Sequence, residues 1–171
     1  IFVFDGRHAH LYSIPDPDGM GGYFCRVTDI QVAPDASIWV GTKRGIYLFN
    51  ITTESLEPFP VKGLPKNANI SHLRVDYEGR LWVLVDSRVY VVDVKKKTAE
   101  RVGNELLLPC CLTVANDGKV WMGDNQGMLY SYDPKKKLIR SCTGKPEGQD
   151  KLGRIESIKI EIGRASRRER V

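Results

Sequence analysis

The chain reads as an all-β protein built from a repeated unit, and three observations lead there. Trp39, Trp82 and Trp121 are separated by 43 and 39 residues. Their surroundings align: SIWVGTKRGIYLFN (37–50), RLWVLVDSRVYVVD (80–93) and KVWMGDNQGMLYSYD (119–133) flank each tryptophan with apolar residues, turn about six residues on, and close a second apolar stretch with Asn50, Asp93 or Asp133. Upstream, VTDIQVAPDAS, ISHLRVDYEGR and CCLTVANDGK alternate apolar and polar residues and end in an acidic or glycine turn. Period-two alternation predicts strands, and a repeat of about forty residues predicts four-stranded sheets packed around an axis rather than a sandwich. The pattern therefore predicts a partial β-propeller of four-stranded antiparallel blades.

In the first unit the strands are expected near 27–33, 37–42, 45–51 and 55–61, with connections short enough for hairpins. Residues 1–14 lay onto 89–102 with Asp5 on Asp93, so 1–24 are expected to supply the last two strands of a preceding blade and a linker. Segments 25–67, 68–107 and 108–153 are each expected to form a blade, and 154–160, containing IESIKI, to open the next. The final EIGRASRRERV resembles a translated sequencing adapter, departing from it at Arg167, and 161–171 are read as a non-native tail.

Composition agrees with a globular chain: 42% hydrophobic and 27% charged residues exclude disorder, and 16 glycines and 9 prolines supply many turns. No apolar run reaches the roughly 20 residues that span a bilayer. The net charge of +5 suggests an anionic partner, yet Arg164, Arg167, Arg168 and Arg170 stand against Glu169 in the tail, so most of the excess is terminal. Lys95–Lys97 and Lys135–Lys137 occupy the same hairpin of successive units and read as solvated charge guarding an outer edge strand, not as a nucleic-acid face. Among Cys25, Cys110, Cys111 and Cys142 there is no CxxC pair and no histidine at zinc-ligand spacing, so neither a metal nor another cofactor is expected. As strand neighbours, Cys110 and Cys111 are expected to face opposite ways and not to share a site.

Each tryptophan is expected to fill the space between sheets. Gly79 and Gly118 suit turns needing positive φ, while Gly41, Gly45, Gly123 and Gly127 recur around the second strand and its turn. Asn50, Asp93 and Asp133 are expected to cap the outer hairpin. Binding chemistry belongs on loops. Turns between second and third strands share one end with the inter-blade connections, and would present Lys43, Arg44, Asp86, Arg88, Asp124 and Gln126 together with Asn67, Asn69 and His72. Of these, Arg44, Asn69, His72, Asp86, Arg88, Asp124 and Gln126 are the candidate contacts for a small polar ligand such as an oligosaccharide. His8 and His10 fall in an outer strand far along the chain from His72, and no nucleophile elbow, zinc-helix or phosphate-loop motif occurs, so no catalytic residue is expected.

The unit resembles the two-component regulator propeller repeat. SIWVGTKRGIYLF (37–49) carries its Trp39, Gly41, Thr42 and Gly45; the second unit departs with Leu84 and Arg88 in place of the glycines, and the third with Asp124 in place of threonine. The resemblance implies a seven-bladed ring, of which this chain is about half, in the periplasmic sensor region of a hybrid histidine kinase. It further implies a glycan-responsive, non-catalytic region that signals as a homodimer, completed by missing blades and tied to the membrane through a missing span. No nucleic acid is expected. VANDGKVWMGDNQG would also suit an NHL-like interaction propeller, and a lyase resembling the streptogramin lyases is the enzymatic alternative.

Overall fold

The alternating segments form strands and nothing else. A computed structural model describes residues 2–4, 6–12, 26–103, 108–142 and 153–160. Asp5, Cys25 and the 161–171 tail lie outside the described residues. The strands are β1 (Phe2–Phe4), β2 (Ala9–Leu11), β3 (Val27–Val32), β4 (Ile38–Thr42), β5 (Gly45–Asn50), β6 (Ser55–Phe59), β7 (Ile70–Val75), β8 (Leu81–Val85), β9 (Arg88–Asp93), β10 (Thr98–Val102), β11 (Pro109–Val114), β12 (Val120–Asp124), β13 (Leu129–Asp133) and β14 (Leu138–Ser141). β1 and β2 form an antiparallel hairpin, and β3–β6, β7–β10 and β11–β14 form three four-stranded antiparallel sheets in which chain order is also spatial order. These are propeller blades, and the fold is a partial β-propeller.

Turn chemistry repeats with the blades. Between first and second strands, Ala33, Asp76 and Ala115 close the turn by donating N–H to Ser37, Arg80 and Lys119 carbonyls at 2.8, 3.1 and 2.8 Å. The left-handed residue is Ala36, Gly79 or Gly118, with φ of 66°, 73° and 83°. Alanine holds that seat in the first blade because Asp35 Oδ1 accepts both the Ser37 N–H at 3.0 Å and its hydroxyl at 2.6 Å. In the outer hairpin Asn50, Asp93 and Asp133 accept N–H groups of Thr52, Lys96 and Lys135, each at 3.0 Å, as expected of caps. Glu54, Lys97 and Lys137 then take left-handed φ at one equivalent place, which is why both lysine runs belong to the repeat.

The core lies between blades. Trp39 is 4% exposed and packs with Ile70, Leu73, Leu81 and Val83 of the second blade. Trp82, at 1%, packs with Leu112, Val120 and Met122 of the third. Each tryptophan thus belongs energetically to the blade that follows it, and Trp121, with only 153–160 following among the described residues, is half-buried. The opposite end shows the converse: Ile30 of β3 is 43% exposed, whereas the equivalent Leu73 and Leu112 are buried, and Val32 is 66% exposed where Val75 and Val114 are half-buried. Residues 153–160 pair with no strand among the described residues, yet Ile155 donates its N–H to the Asp124 carbonyl at 3.1 Å, beside the third blade.

The outside of the ring is tied as well. Lys97 Nζ sits 5.2 Å from the Phe59 ring centroid of the preceding blade, and Lys137 Nζ lies 3.7 Å from Glu100 of its own preceding blade. The left-handed lysine therefore reaches back across a joint. Lys62, in the connection to the second blade, exchanges backbone hydrogen bonds with Lys97 and Ala99 at 2.9 and 2.8 Å and covers part of the β10 edge. A Cβ on Gly63 would lie 2.5 Å from the Ala99 carbonyl, so only glycine permits this approach.

Candidate functional site: inner strands and loop end

The register of every inner strand skips one residue: Thr28 in β3, Ser71 in β7 and Cys110 in β11. A bulge sets two successive side chains on one side and kinks the strand. In the first and third blades those two side chains reach beyond their own sheet; in the second, Ser71 Oγ donates back to the Leu84 carbonyl at 3.1 Å. Thr28 Oγ1 donates to the Ile70 carbonyl at 2.5 Å, while Asp29 Oδ2 accepts the Leu73 N–H at 2.9 Å and pairs with Arg74. Cys110 and Cys111 each bring Sγ to 3.1 Å from the Ile155 carbonyl. The expectation that these cysteines face opposite ways is thereby corrected: simple alternation fails at a bulge.

His72 occupies the same position in the second blade as Asp29 in the first and Cys111 in the third. It is half-buried, and the nearby Cys110 backbone favours its protonated form. Burial holds its imidazole below the usual range; the Asp29 carboxylate opposes this, and the Arg74 and Arg154 guanidiniums reinforce it. Asp29, His72 and Arg74 of the inner strands and Arg154 of the 153–160 segment thus act on one another. Of these, only His72 was among the residues singled out from sequence.

The other candidates separate around the loop end. Arg44 lies in the β4–β5 turn and lines a groove of about 510 Å³ with Phe59, Leu64 and Asn67. Asn69 is exposed just before β7, Asp86 is exposed in the β8–β9 turn with φ of 47°, and Arg88 is the exposed first residue of β9. Gln126 is exposed in the β12–β13 turn. Asp124 has a different role. It is 8% exposed, and Oδ1 accepts the Gln126 and Met128 N–H groups at 2.8 Å each while Oδ2 accepts the Tyr130 hydroxyl at 3.2 Å. Burial and this carboxylate raise the Tyr130 phenol. Thr42 performs the same turn-holding task in the first blade, accepting the Arg44 N–H at 3.0 Å, so the replacement of threonine by Asp124 preserves the function of the position. In the second blade Val85 stands there, and Asp86 and Ser87 both adopt left-handed φ instead.

Two clefts at the opposite end escaped the sequence reading. One, of about 470 Å³, lies between the second and third blades and is lined by Tyr77, Arg80, Lys119 and Lys135; another, of about 490 Å³, is lined by Pro34, Arg80, Asp93 and Lys95. The buried acid of the first is spent internally: Asp76, 3% exposed, accepts the Arg80 Nε and Trp82 Nε1 hydrogens at 2.8 Å each. Tyr77 donates to the Ala115 carbonyl at 2.7 Å and ties the two blades there. Among the described residues no three histidine, cysteine or acidic side chains converge to hold a metal, and no helix is long and apolar enough to cross a membrane.

No family model matches the chain. No curated protein matches it either. Solved structures do. The extracellular domain of a protein described as a hybrid two-component system of B. thetaiotaomicron superposes with a TM-score of 0.64 at 20% identity, over 78% of this chain and 19% of that one. The extracellular domain described as that of a one-component system from the same organism gives 0.64 at 16%, over 80% and 19%. A catalytically inactive virginiamycin B lyase from Staphylococcus aureus with quinupristin gives 0.62 at 13%, over 81% and 46%. The chain therefore spans about a fifth of the sensor domains it resembles, and at these identities the likeness establishes the propeller fold.

Proposed function

We propose that this chain is part of the periplasmic, ligand-sensing β-propeller of a two-component signalling protein of the hybrid histidine kinase type, and that it responds to a glycan. The observation that carries the reading is the blade architecture shared with extracellular domains described as those of hybrid two-component systems, reached independently of the repeat resemblance. Ligand contacts fall to the loop end, where Arg44, Asn69, Arg88 and Gln126 offer exposed or half-exposed donors and Asp86 an exposed acceptor. Asp124 and His72 position backbone there. The region binds without catalysis and without a cofactor; it acts in a homodimer, together with further blades and a membrane span supplied by the rest of the protein.

The test is a thermal-shift panel of oligosaccharides against the protein carrying its complete propeller. Saturation at about 100 times Kd stabilises a binder by about 2.7 kcal/mol, a clear rise in Tm. A shift with one glycan class, lost in Arg44→Ala or Arg88→Ala, supports the reading. Because a lyase is among the structural neighbours, the same preparation is assayed for opening of a streptogramin lactone; turnover without any glycan shift overturns it.

A further inference from the structure

We propose that Cys110 and Cys111 form a vicinal dithiol that accepts an external disulfide and closes to a disulfide between neighbours, releasing the joint to residues 153–160. The β11 bulge makes this possible, since it turns both side chains toward one carbonyl, that of Ile155, at 3.1 Å each. Both sulfurs also approach the Gly123 carbonyl, at 3.5 and 3.9 Å. They differ in access: Cys110 is partly exposed and Cys111 is buried. That asymmetry assigns the roles. Cys110 attacks the incoming disulfide, forming one S–S bond and expelling one thiol. Cys111 then attacks the Cys110 sulfur of this mixed disulfide, the second thiol leaves, and its own proton goes to solvent or to that leaving group. One external disulfide is thus reduced to two thiols as the pair is oxidised.

The structural consequence follows from the bonds lost. Both S–H donors to Ile155 disappear on oxidation, while the Ile155 N–H bond to Asp124 remains. Gly123 gives the segment no slack, because a Cβ there would already lie 2.7 Å from Ile155. A ring closed between adjacent residues departs from ordinary disulfide geometry and is correspondingly easy to reduce, so the modification is reversible. The inference does not depend on the sensor reading.

The experiment treats the full chain with oxidised glutathione, alkylates remaining thiols under denaturing conditions, and digests with trypsin, which places both cysteines in the 102–119 peptide. The expected product is that peptide lighter by two hydrogens and with both alkylations lost, regained on mild reduction. Exposed Cys142 serves as the internal control for a single thiol, gaining glutathione instead. Cys111→Ser should trap glutathione on Cys110, while Cys110→Ser should leave Cys111 alkylatable. Hydrogen exchange of 153–160 should accelerate in the oxidised wild type alone. Full alkylation of both thiols, equal glutathionylation of Cys110 and Cys111, or a cross-link from either to Cys25 or Cys142 would overturn the proposal.

Discussion

The joint between the first and second blades and the joint between the second and third are built from the same positions but different residues. In the first, Gly41 admits Ile70, whose Cγ2 would lie 2.9 Å from a Cβ on the glycine, and Thr28 and Asp29 reach across to the β7 edge. In the second, Leu84 stands where Gly41 does and Pro109 where Ile70 does; Ser71 turns back to the Leu84 carbonyl at 3.1 Å, and His72 lies near the Cys110 backbone. The joint onto 153–160 returns to the first pattern, with Gly123 against Ile155. What repeats at the first joint and at the joint onto 153–160 is therefore a fit, a glycine against an isoleucine, whereas at the second Leu84 packs in a cluster with Leu112, Val120 and Met122.

The sharpest way to break this comparison is at the tryptophans. Trp82→Ala should cost about 3–5 kcal/mol in urea unfolding, and Trp121→Ala less than half as much, because only Trp82 is enclosed by a following blade. Equal losses would mean that the tryptophans stabilise their own sheets. Next come the joint positions. Leu84→Ala should cost about 2–5 kcal/mol through a cavity, and Gly41→Ala about 1–3 through overpacking; a neutral Gly41→Ala would show that the first joint has room to give. Asp29→Ala leaves the Leu73 N–H without its acceptor and removes the ion-pair partner of Arg74, and should cost about 1–3 kcal/mol, with faster exchange of the Leu73 amide as the direct readout.

The second joint should also be the acid-sensitive one. His72 has a folded pKa below its ordinary 6.5 because burial disfavours the imidazolium. As pH falls through about 6.5 the unfolded chain takes up this proton before the folded one does, so the stability tied to the neutral ring is present above that pH and declines below it. His72→Gln should flatten this part of the pH–stability curve, and an unchanged slope would remove His72 as its source. The smallest effects belong to the lysine runs. Lys97→Ala should cost no more than about 1 kcal/mol through its contact with Phe59, and Lys96→Ala should stay within about 0.5.

The blade pattern was legible because alternation, turn residues and one tryptophan per unit are local signals that agree across three copies. The caps at Asn50, Asp93 and Asp133 were legible for the same reason. The candidate site was legible only as an end of the molecule. Arg44, Asp86, Arg88 and Gln126 lie on that end, but nothing local distinguishes Asp124, whose carboxylate is consumed by its own turn, from an acid available to a ligand. The pairing of Cys110 with Cys111 was misread because a bulge is a property of two strands in register, and a single strand carries no mark of the skipped residue.

By itself the sequence determined the strands, their turns and the repeat that stacks them, since each depends on residues a few positions apart. Only the tertiary structure decided which blade Trp39 and Trp82 stabilise, how the β7 edge is satisfied by the preceding blade, and that two adjacent thiols share one carbonyl. Those outcomes depend on contacts between residues some forty positions apart, where side-chain direction is set by register and by the close approach that Gly41 and Gly123 allow.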